Sequence, residues 1–210
     1  MLDSLANVKA RLGITENDYD TFLENQIQML SDVIEGYCGR KFLMASYVQT
    51  FYKEDLTSGK ELPLYQYPVA QITAMIGDLE NIPADKYRIN KPSGTLISTE
   101  GQIFGCHKNL VVEYDAGYAV CPSPILSVLD SLVEERYNKK KSGVGLNFGT
   151  DVQRISIPGA ISIDFDYTLT SNERKLTYGT IIGNYANILD SWRSERAVLG
   201  SLKLVYIEEV

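Results

Sequence analysis

Few residues in this 210-residue chain have the type and spacing that catalysis or metal binding requires. The single histidine, His107, follows Cys106, and such a pair suggests a metal site or a Cys–His nucleophile. Neighbours in an extended segment point to opposite faces, however, so the two side chains cannot easily hold one ion. We therefore predict an exposed loop before a strand at 110–114, with no metal ligand, cofactor site or catalytic residue.

Two other patterns could carry chemistry. Gly143, Gly145 and Gly149 follow three lysines, but a phosphate-binding loop needs G-x4-G-K-[ST] between a strand and a helix, so a solvated linker is predicted. The acidic pairs Glu134/Glu135 and Asp164/Asp166 have no histidine, nucleophile elbow or cofactor loop beside them. We predict solvent faces there and no enzyme; a small cytosolic enzyme using acidic residues is an alternative.

Composition excludes some partners. The net charge of −7 argues against a protein that wraps nucleic acid, which needs clustered Lys and Arg. Three cysteines without a CxxC pair favour a reducing cytosol, and neither a signal peptide nor a membrane-spanning run is expected. The chain has fourteen tyrosines and six phenylalanines. Tyrosine suits surfaces that are buried on one side and solvated on the other, including subunit interfaces.

The elements that organise the chain are two long, one-sided helices. Residues 4–12 predict a short helix ending at Gly13, and Thr15 with Asp18 resembles a capping box for a second helix that ends near Gly39. A further helix at 124–141 has Ser123 as its expected N-cap, and its basic end suits the helix dipole. The apolar stripes of the two long helices should pack together, through Phe22, Ile27, Leu30, Ile34, Val128, Leu129, Leu132 and Tyr137.

A helix-turn-helix regulator is a further alternative for the N-terminus. Its recognition helix would need Arg, Lys, Asn or Gln presented to a groove. No Lys or Arg stands between Glu16 and Gly39, so the charge is wrong for DNA.

Between the long helices the sequence alternates like short strands. They are separated by glycine and proline turns and predicted at 46–54, 62–65, 69–77, 86–90 and 95–98, with 110–114 closing the sheet. The fold class is therefore α+β: an antiparallel helix bundle of one short and two long helices, an inserted antiparallel sheet at about 46–114, and an extended C-terminal arm. Residues 1–141 form the helical domain with its insert.

Residues 142–210 should form a loop, a hairpin or arm at 152–168 around Pro158-Gly159, a short helix at 183–196 and a final strand. One face of the short helix combines apolar residues with arginine: Tyr185, Ile188, Leu189, Trp192 and Arg193. Two interpretations stay open, because such a stripe either covers the core of its own domain or docks on another protein through Trp, Tyr and Arg.

The chain opens with LANVKARLGITENDYDTFLENQIQMLSDVIEGYCGRKF, in which a helix ending in LGI is followed by an acidic linker and a long helix with a Y-x-G-R/K turn, here Tyr37 to Arg40. This order resembles the opening of the gp6-like phage head–tail connector proteins. LYQYPVAQITAMI, KYRIN and VEYDAGYAVCPSPILSVLDSLVEERYN continue the resemblance, with Tyr114, Ala116, Gly117, Tyr118, Pro122 and Tyr137 in the family pattern. GNYANILDSWRSER resembles the C-terminal segment of longer members.

The resemblance implies a virion structural protein of a tailed phage. Such adaptors form a ring of about twelve copies under the portal, with C-terminal arms on the portal and a stopper or tail protein on the other face. DNA passes through the channel without sequence-specific binding, no membrane is involved, and assembly takes place in the host cytoplasm. A stopper or tail-completion ring protein of the same neck is the main alternative.

Overall fold

The computed structural model describes residues 1–56, 59–78, 80–142, 156–157, 161–162, 181–194 and 205–206. Its contacts divide the chain into two compact units. The helical unit comprises Met1–Gly39 and Cys121–Ser194, and the β unit comprises Arg40–Val120 and Glu195–Val210. The chain is α+β, as the sequence predicts.

The helical unit contains α1 (Leu5–Leu12), α2 (Asp20–Cys38), α3 (Ser123–Lys141), the strands β8 (Ser156–Ile157) and β9 (Ile161–Ser162), and α4 (Ala186–Asp190). α1 contacts both α2 and α3, α2 packs on α3, and α4 contacts both long helices. β8 and β9, which lie within the hairpin or arm predicted at 152–168, pair antiparallel.

Glycines end the first two helices. Gly13 and Gly39 adopt left-handed conformations with φ of 66° and 65°, and their N–H groups bond to Lys9 O and Glu35 O. A residue without Cβ adopts this conformation at little cost, so both stops could be predicted from sequence.

Two predicted helix starts were wrong in detail. α2 begins at Asp20 with Tyr19 as an N-cap that makes no side-chain cap bond, so the Thr15/Asp18 capping box does not form. Lys9 Nζ instead contacts Asp20 Oδ1 at 2.5 Å. α3 begins one residue before Pro124, because the carbonyl of Pro122, and not the Ser123 hydroxyl, accepts the first N–H groups.

The β unit holds two antiparallel sheets rather than one. Its strands are β1 (Ala45–Tyr52), β2 (Glu61–Pro63), β3 (Val69–Gly77), β4 (Glu80–Asn81), β5 (Tyr87–Asn90), β6 (Thr95–Ser98), β7 (Asn109–Ala116) and β10 (Val205–Tyr206). The larger sheet has the order β10-β1-β7-β3-β4 and the smaller has the order β2-β6-β5.

β7, which contains the strand predicted at 110–114, lies between β1 and β3 in the larger sheet. Its eight residues pair with β1 without a register break, whereas β3 carries irregularities at Val69/Gln71 and Ile72/Ala74. A strand with neighbours on both sides buries every second residue, and the core includes Leu110, Val112, Tyr114 and Ala116.

Candidate docking surface

Residues 181–194 pack against the end of α2 in the helical unit. Leu189 and Ile182 are fully buried. The N–H of Ser194 donates to the carbonyl of Cys38 at 2.8 Å, and the Cys38 thiol lies 3.8 Å from the carbonyl of Leu189. The segment is therefore attached to its own chain through a buried side chain and backbone hydrogen bonds.

A polar contact fixes the outer side of this segment. The hydroxyl of Tyr37 donates to Asp190 Oδ1 at 2.6 Å. Arg193 Nη1 lies 3.7 Å from the same oxygen, and its guanidinium stands 5.2 Å from the centre of the Tyr37 ring. Burial, followed by the neighbouring Asp190 carboxylate, raises the pKa of Tyr37, because both favour the neutral phenol.

The predicted docking residues differ in how much of them a partner could reach. Leu189 is buried, and Tyr185 and Trp192 are half-buried. Ile188 is 42% exposed and Arg193 is also exposed. The surface available to a partner, here called the α4 surface, therefore consists of Tyr185, Ile188, Trp192 and Arg193, with Leu189 anchoring it from below.

The predicted core of the helix pair lies where α2 and α3 face each other. Its fully or nearly fully buried members are Ile27, Leu30, Ile34, Val128, Leu129, Leu132 and Tyr137. Phe22 is half-buried, and the ammonium of Lys140 lies 5.8 Å from its ring centre. The ring of Tyr137 meets that of Tyr19 edge-on at 5.6 Å, and its hydroxyl donates to Glu16 Oε2 at 3.1 Å.

Ion pairs bind the outer faces of the helices together. Arg11 reaches both oxygens of Asp130, at 2.5 and 2.8 Å, and also Asp3 at 2.5 Å. These carboxylates raise the pKa of Arg11, with the Asp130 hydrogen bond as the largest cause. The bidentate contact between Arg11 and Asp130 connects α1 to α3.

The lysines that end α3 have local partners. Lys139 pairs with Glu135 one turn earlier, and Lys141 Nζ lies 3.2 Å from Glu16 Oε1. Lys140 is the residue beside Phe22. These three charges are thus spread over separate contacts within the unit, which does not favour a phosphate-binding role.

The residues considered for catalysis or metal binding are not assembled into a centre. His107 Nδ1 lies 3.5 Å from Asp78 Oδ2, while the Cys106 thiol contacts the carbonyl of Gln102. Across the part of the chain that the structure describes, no three His, Cys, Asp or Glu side chains come together as metal ligands. Glu134 and Glu135 are exposed, and the predictions on Asp164, Asp166 and the glycines 143, 145 and 149 lie outside the described residues.

An arginine that the sequence analysis placed only in a turn organises one end of the β unit. The guanidinium of Arg40 lies 3.8 Å from the centre of the Tyr67 ring and donates to the Tyr67 carbonyl. The rings of Phe42 and Tyr118 lie 5.4 and 5.9 Å away. From the sequence, Arg40 is identified only as the last residue of the turn Tyr37-Cys38-Gly39-Arg40. Its contacts with aromatic rings were not predicted.

No described helix is both long and apolar enough to cross a bilayer. The family model of phage gp6-like head-tail connector proteins matches residues 2–86. Among curated proteins, no significant match was found.

Two solved structures share the fold. One is of the neck of an empty gene transfer agent (GTA) particle computed with C6 symmetry, with 14% identity, a TM-score of 0.55, and 95% of this chain and 93% of that chain covered. The other is of the virion of a native GTA particle, with 15% identity, a TM-score of 0.57 and the same coverage. The match over residues 2–86 confirms the resemblance to the gp6-like head–tail connectors, a structural family rather than an enzyme family.

Proposed function

We propose that this chain is a structural adaptor of a tailed-phage neck, located in the virion and assembled in the host cytoplasm. It forms a ring under the portal, joins the capsid to the stopper or tail, and surrounds the channel through which DNA passes. The observation that carries the proposal is the match of residues 2–86 to a head-tail connector family. The fold shared with neck and virion structures supports it.

The number of copies is part of the proposal. A twelve-membered ring is compatible with a neck of C6 symmetry, as is a six-membered one. The architecture proposed for each copy is an antiparallel helix bundle over 1–141 with the β insert, followed by the segment 142–210, which carries the portal contact.

The charge of α2 suits a channel that DNA must pass without being held. The helix carries Asp20, Glu24, Asp32 and the buried Glu35 and no lysine or arginine, and Glu24 is exposed. Like charges repel the phosphate backbone, so a wall of such residues does not trap DNA.

The α4 surface is the proposed portal contact. Aromatic residues and arginine dominate the energetics of many interfaces, and this surface presents Tyr185, Trp192 and Arg193 around the exposed Ile188. Because Leu189 is buried in the chain itself, the segment would dock as a preformed surface and not as a free arm.

Capture of the full-length chain by purified portal protein tests this proposal. The double variant Tyr185→Ala/Trp192→Ala should lower the affinity at least about tenfold, the loss expected when one interface anchor is removed. Val120→Ala is the matched control, because Val120 is 75% exposed but belongs to the β unit. Unchanged capture by the double variant would exclude the α4 surface as the portal contact.

The same assay separates the adaptor from a stopper or tail-completion protein, which would bind the adaptor ring or the tail and not the portal. Size-exclusion chromatography with and without portal then reports assembly. We expect a monomer alone and a ring with portal; a stable ring of the free protein would contradict assembly that waits for its partner.

A further inference from the structure

The two sheets of the β unit share one core. Tyr47, Val112 and Tyr114 of the larger sheet belong to the same buried cluster as Leu62 and Leu96 of the smaller sheet. Because alternate residues of a strand point to opposite faces, the residues between these lie on the outer faces of the two sheets. The two outer faces therefore point away from the shared core, on different sides of one unit.

The outer face of the larger sheet, here called the acidic face, carries two carboxylates on its central strand. Its members on β1 and β7 include Ser46, Val48, Thr50, Val111, Glu113 and Asp115. The strands β1, β7 and β3 contain no lysine or arginine. Ser46 and Gln71 both donate to Asp115 at 2.6 Å, and these hydrogen bonds hold the pKa of Asp115 below its ordinary value. The group is thus ionised at neutral pH.

Glu113 lies among apolar side chains on the acidic face. It stands opposite Val48 on one side and Ala74 on the other, and Val111 is next to it on the same face. Its side chain is half-buried, and it forms no hydrogen bond or ion pair with any residue that the structure describes. A carboxylate in such surroundings is stabilised by a cation that another molecule supplies.

The outer face of the smaller sheet, here called the basic face, carries the complementary charge on β5. Its outward positions form two rows, Arg88-Ile97-Glu61 and Asn90-Thr95-Pro63. Arg88 and the nearby Lys91 are exposed, and neither forms an ion pair within the described part of the chain. The carboxylate of this face, Glu61, stands two strands from Arg88, about 10 Å away at the usual strand spacing.

We propose that the acidic face is an interface between copies, and that its occupant in the assembled ring is the basic face of the neighbouring copy, with Arg88 of one copy paired to Glu113 of the next. The identity of the occupant rests on the proposed ring. Two unlike faces on different sides of one unit make a head-to-tail contact, and such contacts close into a ring when the rotation between copies permits it.

Charge and shape both favour the basic face as the occupant. A guanidinium presents a planar fork of donors that matches a carboxylate, so Arg88 suits Glu113. Two acidic faces brought together would instead place like charges opposite each other, which repel. The half-buried Val48 and Val111 give the acidic face an apolar centre, and the half-buried Ile97 gives one to the basic face.

Exchange of charge between copies tests the pairing. Glu113→Arg alone and Arg88→Glu alone each bring like charges together, so ring formation on portal should fall at least about tenfold. A mixture of the two full-length variants can alternate around an even-numbered ring, with opposite charges at every contact. We expect rings from this mixture and from the double variant Glu113→Arg/Arg88→Glu, measured by size-exclusion chromatography, and their recovery also shows that each variant is folded.

The matched control is the double variant Glu54→Arg/Arg88→Glu. It has the same net charge, but Glu54 is an exposed residue of the turn after β1, so this variant should remain as deficient as Arg88→Glu. Single variants that form rings as well as the unaltered protein, or a mixture that stays unassembled, would overturn the pairing and leave the adaptor function intact. Loss of portal capture by Glu113→Arg that Arg88→Glu does not restore would make portal the occupant and overturn the contact between copies. Failure of the unaltered protein to form any ring on portal would overturn the adaptor function, and the proposed occupant with it.

Discussion

The hydroxyl of Tyr37, at the end of α2, donates a 2.6 Å hydrogen bond to the carboxylate of Asp190, the last residue of α4. These residues stand 153 positions apart, and their contact attaches residues 181–194 to the helix pair. Together with the buried side chain of Leu189, this hydrogen bond holds the α4 surface in a preformed position.

Tyr37→Phe removes only this hydroxyl. We expect the unfolding free energy to fall by about 0.5–1.5 kcal/mol, the usual net value of one hydrogen bond. Urea unfolding measures the change, and protection of amides 186–190 from hydrogen exchange should fall with it. Tyr52→Phe, at a side chain that is 55% exposed, serves as the control and should change neither quantity.

Gly117 is required by its backbone conformation and by space. Its φ is +115°, and a Cβ there would lie 2.5 Å from the carbonyl oxygen of Leu43. Gly117→Ala should therefore cost about 3 kcal/mol or more in unfolding free energy, because a backbone atom must move as well.

Gly13 provides the comparison, since its φ is also positive, at +66°, but nothing lies within 4 Å of a Cβ built on it. Gly13→Ala should cost about 1–2 kcal/mol, the strain of the left-handed conformation alone. Equal losses in the two variants, measured by denaturant unfolding, would show that the contact with Leu43 does not matter.

Asp78 predicts a pH dependence of the β unit. The N–H groups of Asn109 and Lys108 donate to its carboxylate at 3.0 Å, and these bonds hold the pKa of Asp78 below its ordinary value of 3.8. A carboxyl with a lowered pKa in the folded state contributes stability that is present above the unfolded pKa and is lost as the pH falls through the folded one.

We therefore expect stability to decline below about pH 4, where the unfolded chain begins to bind this proton first. An NMR titration of the Asp78 carboxyl carbon measures its pKa directly. Asp78→Asn should flatten this part of the stability profile, whereas Glu80→Gln, two residues away and exposed, should not. A midpoint at or above the ordinary value would contradict the role of the two N–H groups.

Local features of the sequence were sufficient to predict much of the fold. Gly13 and Gly39 stop helices by their own conformational freedom, and the apolar spacing of α2 and α3 reports which side is buried. The alternation over β3 gives its bounds, 69–77, without error. Each depends on residues close together in the chain, where periodicity is informative.

Contacts between residues that are far apart in the sequence could not be predicted in the same way. The central position of β7 depends on register with β1 and β3, which flank it only after folding. The capping box predicted at Thr15 did not give the start of α2, which begins at Asp20, where Lys9 from α1 contacts the carboxylate. The aromatic partners of Arg40 and the Tyr37–Asp190 contact likewise join distant segments.

Leu189 and Ile188 are neighbours of equal size with opposite roles, so they separate anchoring from docking. Leu189 is fully buried and Ile188 is 42% exposed. Leu189→Ala should cost about 2–4 kcal/mol by leaving a cavity, while Ile188→Ala should change the unfolding free energy by less than about 0.5 kcal/mol.

Portal binding should respond in both variants, but for different reasons. Ile188→Ala removes apolar area from the α4 surface and should weaken capture with unchanged protection of residues 181–194. Leu189→Ala should weaken capture only together with loss of that protection, because the surface is no longer held in place. Hydrogen exchange and capture measured on the same samples distinguish the two effects. If Leu189→Ala lost protection and still bound portal as tightly, the segment would dock as a free arm and the preformed surface would be wrong.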